Sequence, residues 1–503
     1  MIPENKVAII GAGPAGIVVA RYLLEHGFAP VIFEQSSRLG GQWNQGAPHS
    51  GVWPAMVTNT SRVTTQFSDL PWPSSTPMFP HNRDVLAYLE IYAALFGITQ
   101  HIRLQHHVNS VIQNGDGYAV TYTVPDAAAA TEHFPYVIVA SGRYGAPRAP
   151  SIPGLETFSG RGGISHTFHF RDAAQFRGQR VIIAGCSISA VEIAPELVFA
   201  GAARVISCFR RQRYVLQRIV AGTPIDVLAF NRFGVLAAER LPQQQLIHSF
   251  REFILRTSGA PEQWGARKAD DNPFVAGITQ GQYYLPLIAE GRIVSKPWIR
   301  SIDGQRVIFE DGTEEEVDAL MFGTGFQLDL PFLGQEMRQL VGADGPALRV
   351  YRHTFHPQLP RMAFLGLYHQ QGPYLPSLEL QARWVAYTWA GLCRQPEAAA
   401  MVSEIAAQEP SELPVTMHQR CIAFARDAGV EPDLEQWPDL KRALLFGPLA
   451  PISFRLSGPD ALPDAPQDFA KEAAEFGLIT SPEFSVNERL RVDLLNQYAN
   501  ARA

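Results

Sequence analysis

Short apolar runs that end in glycine punctuate this chain, and the first comes at its start. In KVAIIGAGPAGIVVARYLLEHGFAPVIFEQ the run 7–10 predicts a buried strand entering the turn Gly11-Ala12-Gly13-Pro14-Ala15-Gly16. A helix follows and stops at His26-Gly27, and PVIFE predicts a second buried strand ending at Glu34. The same order returns in QRVIIAGCSISAVEIAPELVFAGAARVISCF, with a strand at 181–184, the turn Gly185-Cys186-Ser187-Ile188-Ser189-Ala190, a helix and a strand. VIVASGRYGAPRAPSIPG (137–154) is an apolar strand running into a Gly/Pro-rich connector. VIFEDGTEEEVDALMFGTGF carries a hairpin signal at Asp311-Gly312, then a strand that leads back through Gly323-Thr324-Gly325.

These runs predict an α/β fold with two Rossmann-like dinucleotide-binding units, the second inserted into a discontinuous first. The expected boundaries are 1–152 and 320–450 for the two parts of the first unit, 153–319 for the second, and 451–503 for a C-terminal helical extension. Residues 221–290 are rich in Phe and Leu and read either as core or as the wall of a substrate entrance. The helix pattern SLELQARWVAYTWAG is apolar except at Glu379, Gln381 and Arg383.

Composition narrows the class. The chain has 503 residues, 46% hydrophobic and 18% charged, too long for one ordinary core. A net charge of -6 and no block of Lys/Arg argue against nucleic acid as a partner. The four cysteines form no close pair, which argues against a zinc site or a redox disulfide and fits a reducing cytoplasm. No signal-peptide pattern and no run of about 18 apolar residues is present, so no membrane association is expected. A homodimer is expected only as the commonest soluble assembly.

One charge tells the two turns apart. In the first, Gly11 allows the tight turn, Gly13 a close approach of pyrophosphate, and Gly16 close helix–strand packing, with phosphate on the helix N-terminus. Glu34, 23 residues after Gly11, can bind ribose hydroxyls. In the second, Ser187 and Ala190 replace two glycines, and Arg210 and Arg211 stand at the strand end. A carboxylate repels a 2′-phosphate and an arginine pairs with it, which assigns FAD to the first turn and NADPH to the second. The alternative for Arg210 is a solvated surface charge.

Both cofactors together suit disulfide reductases, electron-transfer reductases and monooxygenases. The first needs a cysteine pair beside the flavin and the second a route to a partner such as an iron–sulfur centre; no cysteine arrangement here serves either. Monooxygenation of a small molecule by O2 is left, and it needs a dry pocket and a fixed hydrogen-bonding group.

An ordered set of segments now becomes informative. GAGPAG, GGQW (40–43), VTNTSRVTTQFSDLPWP (57–73), VIVASG, the serine-containing second turn, FGTGF and YLPSLELQARW together resemble the class B flavoprotein monooxygenases. The resemblance is closest to the flavin-containing monooxygenases that oxygenate nitrogen and sulfur. It spans nearly the whole chain and leaves about 395–503 with little motif content. It implies FAD contacts from Gly11, Gly13, Pro14, Ala15, Gly16, Glu34, Gly41, Gln42, Trp43, Asn59 and Thr60. It implies NADP contacts from Thr58, Asn59, Gly185, Ser187, Ser189, Ala190 and Arg210, and a place near the cofactors for Gly325 and Gln381.

Asn59 is the implied catalytic residue, at a flavin whose C4a-hydroperoxide oxygenates a soft nucleophile. A neutral carboxamide can donate and accept without adding charge. Its other reading is an Asx-turn residue in a polar loop. The family's linker fingerprint departs from pattern in FSGRGGISHTFHF, where Phe158, Gly160, His166 and Phe170 carry two extra residues before the histidine. The tryptophan followed by proline or aspartate of Baeyer–Villiger relatives is absent there, which favours heteroatom over ketone oxygenation. His166 reads either as a linker-positioning group or as a satisfied interface histidine. The rival activities are Baeyer–Villiger oxidation of ketones and a non-oxygenating NADPH oxidase or acceptor oxidoreductase.

Overall fold

A computed structural model describes residues 4–408 and 415–500. Two parallel five-stranded sheets organise it. The first runs in the spatial order Met362–Phe364, Tyr136–Val139, Lys6–Ile10, Ala29–Phe33, Ile102–Arg103. The second runs Ile293–Lys296, Arg204–Cys208, Arg180–Ala184, Ala319–Phe322, Gly163–His166. The inner strands are mostly apolar because a parallel sheet is covered on both faces, with Lys6, Arg180 and Arg204 at strand starts and Ser207 bonded to Tyr284. The expected α/β architecture with two Rossmann-like units is present.

The first sheet takes its outer strand Met362–Phe364 from beyond the second sheet, and the chain crosses between the sheets twice. The two crossings lie side by side as a short antiparallel ribbon, Ala146–Pro147 against Phe326–Gln327. The strand Ala319–Phe322, at the expected return point, is hydrogen-bonded within the second sheet.

Six helices surround or brace the candidate site: α1 (Pro14–Glu25), α2 (Asn82–Leu95), α3 (Ile188–Phe199), α4 (Ile225–Ala229), α5 (Leu375–Ala390) and α6 (Ala465–Ala474). Helix α1 ends as its glycine signal predicts, with Gly27 at φ +78° after the C-cap His26. Helix α5 lies on α1 and is buried from Leu375 to Thr388, so its polar residues need internal partners. Arg383 is fully buried and pairs with Asp460 at 2.6 Å, and Asp460 also pairs with the buried Arg455. The motif-poor C-terminal region thus supplies the counter-charge for a helix of the first unit. Among the described residues no helix is long and apolar enough to cross a membrane.

Candidate functional site

The first glycine turn is dictated by backbone contacts. Gly11 has φ +106°, and a methyl there would lie 2.7 Å from the Ala140 carbonyl oxygen; on Gly16 it would lie 2.0 Å from that of Gly11. Pro14 opens α1 at a position whose N–H has no intrahelical use. The first-turn N–H groups around Ala15 and Gly16 have no acceptor within the helix, the arrangement that takes a phosphate.

GGQW lies against this turn. The Gly40 N–H donates to Ala12 O at 2.9 Å, and Gly41 packs so closely that a methyl on it would sit 2.9 Å from Gly13 Cα. Gln42 donates to the Tyr144 carbonyl at 2.8 Å, and the half-buried Trp43 packs on the first unit's core. Glu34 is 3% exposed; its carboxylate accepts the Ala12 N–H at 2.9 Å and the Ser36 N–H at 2.8 Å. The acid braces the turn and keeps lone pairs for a hydroxyl donor.

The second turn matches the first position by position. Gly11 N–H donates to Phe33 O and Gly185 N–H to Cys208 O, both at 2.8 Å. Ala140 N–H donates to Ile10 O, and Gly323 N–H to Ala184 O. This register pairs Glu34 with Phe209, not with Arg210. Arg210 follows one residue later, is exposed, and lies over the Trp298 ring at 4.8 Å with no carboxylate partner among the described residues. The arginine therefore stands beside the matched site of the acid.

The substituted glycines have separate fates. Ser187 is the N-cap residue of α3 and its hydroxyl makes no cap bond; Ser189 is half-buried in the first turn. Ala190 is fully buried, and a methyl on Gly323 would lie 3.0 Å from its Cβ. Its side chain is a packing group facing the strand, which leaves its backbone for the expected contact.

The 57–73 segment differs from its composition. All six of its hydroxyl residues turn inward. Thr58 donates to Thr60 O at 2.8 Å, and the hydroxyls of Thr60 and Thr65 bond each other at 2.8 Å. Ser61 and Thr64 donate to Asp226 of α4, Ser68 to Glu379 of α5. Gln66 donates to Glu472 of α6 at 2.8 Å, and Trp72 Nε1 to Thr65 O at 2.7 Å. Thr58 and Thr60 use their hydroxyls within the segment. Asn59 is half-buried, and its Oδ1 is a buried acceptor without a partner among the described residues. Asp69 Oδ1, in the same segment, is the other buried acceptor there without a partner among the described residues, although Asp69 pairs with Arg21 through Oδ2; such an open acceptor marks a place for a donor.

Both units bracket Asn59. The Thr58 N–H donates to Pro80 O at 2.9 Å on the first unit's side. From the chain between the two crossings, Arg218 reaches Thr58 O at 3.5 Å and Asp226 takes the Ser61 N–H at 3.1 Å. Asp226 is 1% exposed, and burial raises its carboxyl above the usual carboxylate range despite these donors.

Two other expected residues are differently employed. Gln381 is fully buried; it accepts the Gly366 N–H and donates to His353 O, Thr354 Oγ1 and Phe364 O, which uses its amide inside the protein. These bonds brace the outer strand of the first sheet. Gly325 has φ +85°, with open space around it, and its carbonyl accepts the Arg148 N–H at the ribbon of crossings. His166 ends its strand against Phe326 of that ribbon, ring centroids 5.4 Å apart, and its Nδ1 accepts the Phe168 N–H. Burial pushes its imidazole down to about 4, so it is neutral at neutral pH. Within 221–290, Ile225, Ile254, Ala269 and Ala276 are buried in one apolar cluster, and an open cleft of about 440 Å³ lies by Arg256, Ser258 and Trp264. Sequence reasoning missed Asp226 and Glu472, and singled out Glu379 without its partner Ser68; the signal for Asp226 was an acid inside the apolar run TPIDVLAF.

Comparison with known proteins gives a consistent outcome. A profile of flavin-binding monooxygenase-like proteins matches residues 4–470. The chain is 30% identical to dimethylaniline monooxygenase [N-oxide-forming] 2 of Oryctolagus cuniculus, over 90% of this chain and 89% of the relative. It is likewise 30% identical to flavin-containing monooxygenase 5 of Cavia porcellus, over 91% and 89%. Among solved structures, S-allyl-L-cysteine S-oxygenase from Allium sativum aligns with TM-score 0.64 at 24% identity, over 93% of this chain and 98% of that one. Cyclohexanone monooxygenase from Rhodococcus sp. Phi1 bound to NADP+ aligns with TM-score 0.62 at 18% identity, over 84% and 97%. With nearly its whole length matched, the chain belongs to the flavin-binding monooxygenase-like family, whose members are NADPH-dependent FAD enzymes.

Proposed function

We propose that this protein couples NADPH oxidation to transfer of one oxygen atom of O2 to a soft nucleophile, an amine nitrogen or a thioether sulfur. For a thioether, one sulfide, one O2, one NADPH and one proton give one sulfoxide, one NADP+ and one water. The sulfur lone pair takes one oxygen atom, the other leaves as water, and NADPH supplies the two electrons. Bound FAD supplies the chemistry that activates O2.

The residues fit both cofactors. The first-turn amides of α1 and Glu34 would hold FAD; Ser187, Ser189 and Arg210 would hold NADPH. A heteroatom nucleophile has no proton that must be removed before attack, so the protein's task is to orient groups and exclude water. Asn59 suits that task, since its open Oδ1 can accept one N–H and its amide can donate, with no change of charge. That orphaned acceptor is the observation that carries the reading. The relative from Oryctolagus cuniculus is an N-oxide-forming enzyme and the neighbour from Allium sativum an S-oxygenase, which favours a heteroatom over a ketone.

Asn59→Ala tests it. FAD content, read from flavin absorbance per protein, should stay near that of the parent. Hydrogen peroxide released per NADPH should rise about tenfold with a thioether present, the scale expected when a positioning contact is lost. Unchanged coupling would remove Asn59 from the site. Parallel product analysis with a ketone and a thioether decides the substrate class: ester or lactone exceeding sulfoxide would overturn the heteroatom reading.

A further inference from the structure

Asn59 sits in the first unit's chain, yet the groups that fix the residues after it come from the second. Asp226 Oδ2 accepts three donors: the Ser61 N–H at 3.1 Å, the Ser61 hydroxyl at 2.7 Å and the Thr64 hydroxyl at 2.6 Å. No cation pairs with this carboxylate among the described residues; the contact is one acid gathering one turn. On the other side of Asn59, Arg218 reaches the Thr58 carbonyl and lies 4.0 Å from Glu192 of α3. Trp53 Nε1 donates to Glu196 of the same helix at 2.7 Å, so the loop before the segment is tied there too. Helix α3 begins at the second glycine turn, so these ties connect the nucleotide turn of one unit to the Asn59 turn of the other.

We propose that Asp226 is a positioning residue for Asn59, through which the second unit sets the direction of the carboxamide. The inference rests on the role given to Asn59 above. An acid buried to 1% exposure with one oxygen collecting three donors holds Ser61 in one place, and Asn59 lies two residues before it. Loss of that oxygen frees the Ser61 backbone and lets the turn rotate, while leaving the FAD turn of α1 untouched.

The test uses the holoenzymes of Asp226→Ala, Asp226→Asn, Asn59→Ala and the Asn59→Ala/Asp226→Ala pair. Peroxide released per NADPH is measured with a thioether present. In addition, NADP+ is titrated into the oxidised enzyme, and the shift of the flavin absorbance bands is followed. Asp226→Ala should raise peroxide about tenfold and weaken the NADP+-induced shift. Asp226→Asn keeps an oxygen for all three donors and should stay within about twofold of the parent. The paired variant should be no worse than Asn59→Ala alone, because both act through one group.

Normal coupling and a normal NADP+ shift in Asp226→Ala, while Asn59→Ala uncouples, would overturn this proposal and spare the role of Asn59. Multiplying effects in the paired variant would also overturn it. Normal coupling in Asn59→Ala would remove the role on which the proposal rests. Should Asp226→Ala yield no soluble holoenzyme, Ser61→Ala/Thr64→Val removes two of the three donors and takes its place. Uncoupling there supports the proposal, and coupling like the parent's overturns it.

Discussion

The two glycine turns make nearly the same hydrogen bonds and solve the same steric problem with opposite residues. In the first unit the helix position is Gly16 and the matched strand-end position is Ala140; in the second they are Ala190 and Gly323. The methyl group has changed sides. The backbone frame is shared, since Gly11 and Gly185 each approach the carbonyl oxygen of the matched strand-end residue, at 2.7 and 2.3 Å from an added Cβ. What differs is the lining: a braced acid at Glu34, and Phe209 followed by Arg210 on the face of Trp298. The frame thus specifies a dinucleotide, and the residues just past the second strand specify which one.

The comparison breaks most sharply at Gly16. A methyl there meets the Gly11 carbonyl at 2.0 Å, and backbone cannot yield as a flexible side chain can. Gly16→Ala should cost about 3 kcal/mol or more through overpacking, and purified protein should carry little flavin absorbance. Full FAD occupancy would show that α1 can shift. At the matched position Ala190→Gly adds no contact and should cost only about 1 kcal/mol, from the flexibility of glycine in a helix.

Arg210→Ala is expected next in size. Losing a charge-assisted bond to a 2′-phosphate costs about 1.5–3 kcal/mol, or about 10- to 100-fold in NADPH affinity. NADH lacks that phosphate and should change by less than about threefold. Binding measured for both nucleotides decides it, and equal losses would return Arg210 to a surface charge stacked on Trp298.

How much of the molecule is legible in its sequence depends on the range of each interaction. The glycine turns are legible because their constraints act between the chain and its own next strand, so spacing alone carries them. Glu34 is legible for the same reason, although bracing the Ala12 N–H is part of its work. The one-residue offset of Arg210 is not, since only strand register shows that Phe209 matches the acid. The 57–73 segment misleads by composition: hydroxyls that suggest a polar loop are used by acids 165 and 311 residues away in sequence. The partners of Gln381 are equally hidden, because an amide in a fully buried helix needs internal partners that spacing does not show. Contacts of that separation leave no periodic trace.

The smallest expected effect is the most direct probe of the exchanged methyl. Gly323→Ala adds a Cβ 3.0 Å from that of Ala190 and 3.4 Å from Thr167 Cγ2, tighter than ordinary contact. The helix start must move by a few tenths of an ångström, at about 1 kcal/mol. That should appear as a lower thermal midpoint and a slightly weaker NADP+ affinity. Combining it with Ala190→Gly moves the methyl to the strand end, where the first unit has it, and should cost about 1 kcal/mol, no more than either change alone. The coupling between the two changes is expected at about 1 kcal/mol, favourable, since the side chains touch. Simple additivity would mean that Thr167, and not the helix, sets the space at Gly323.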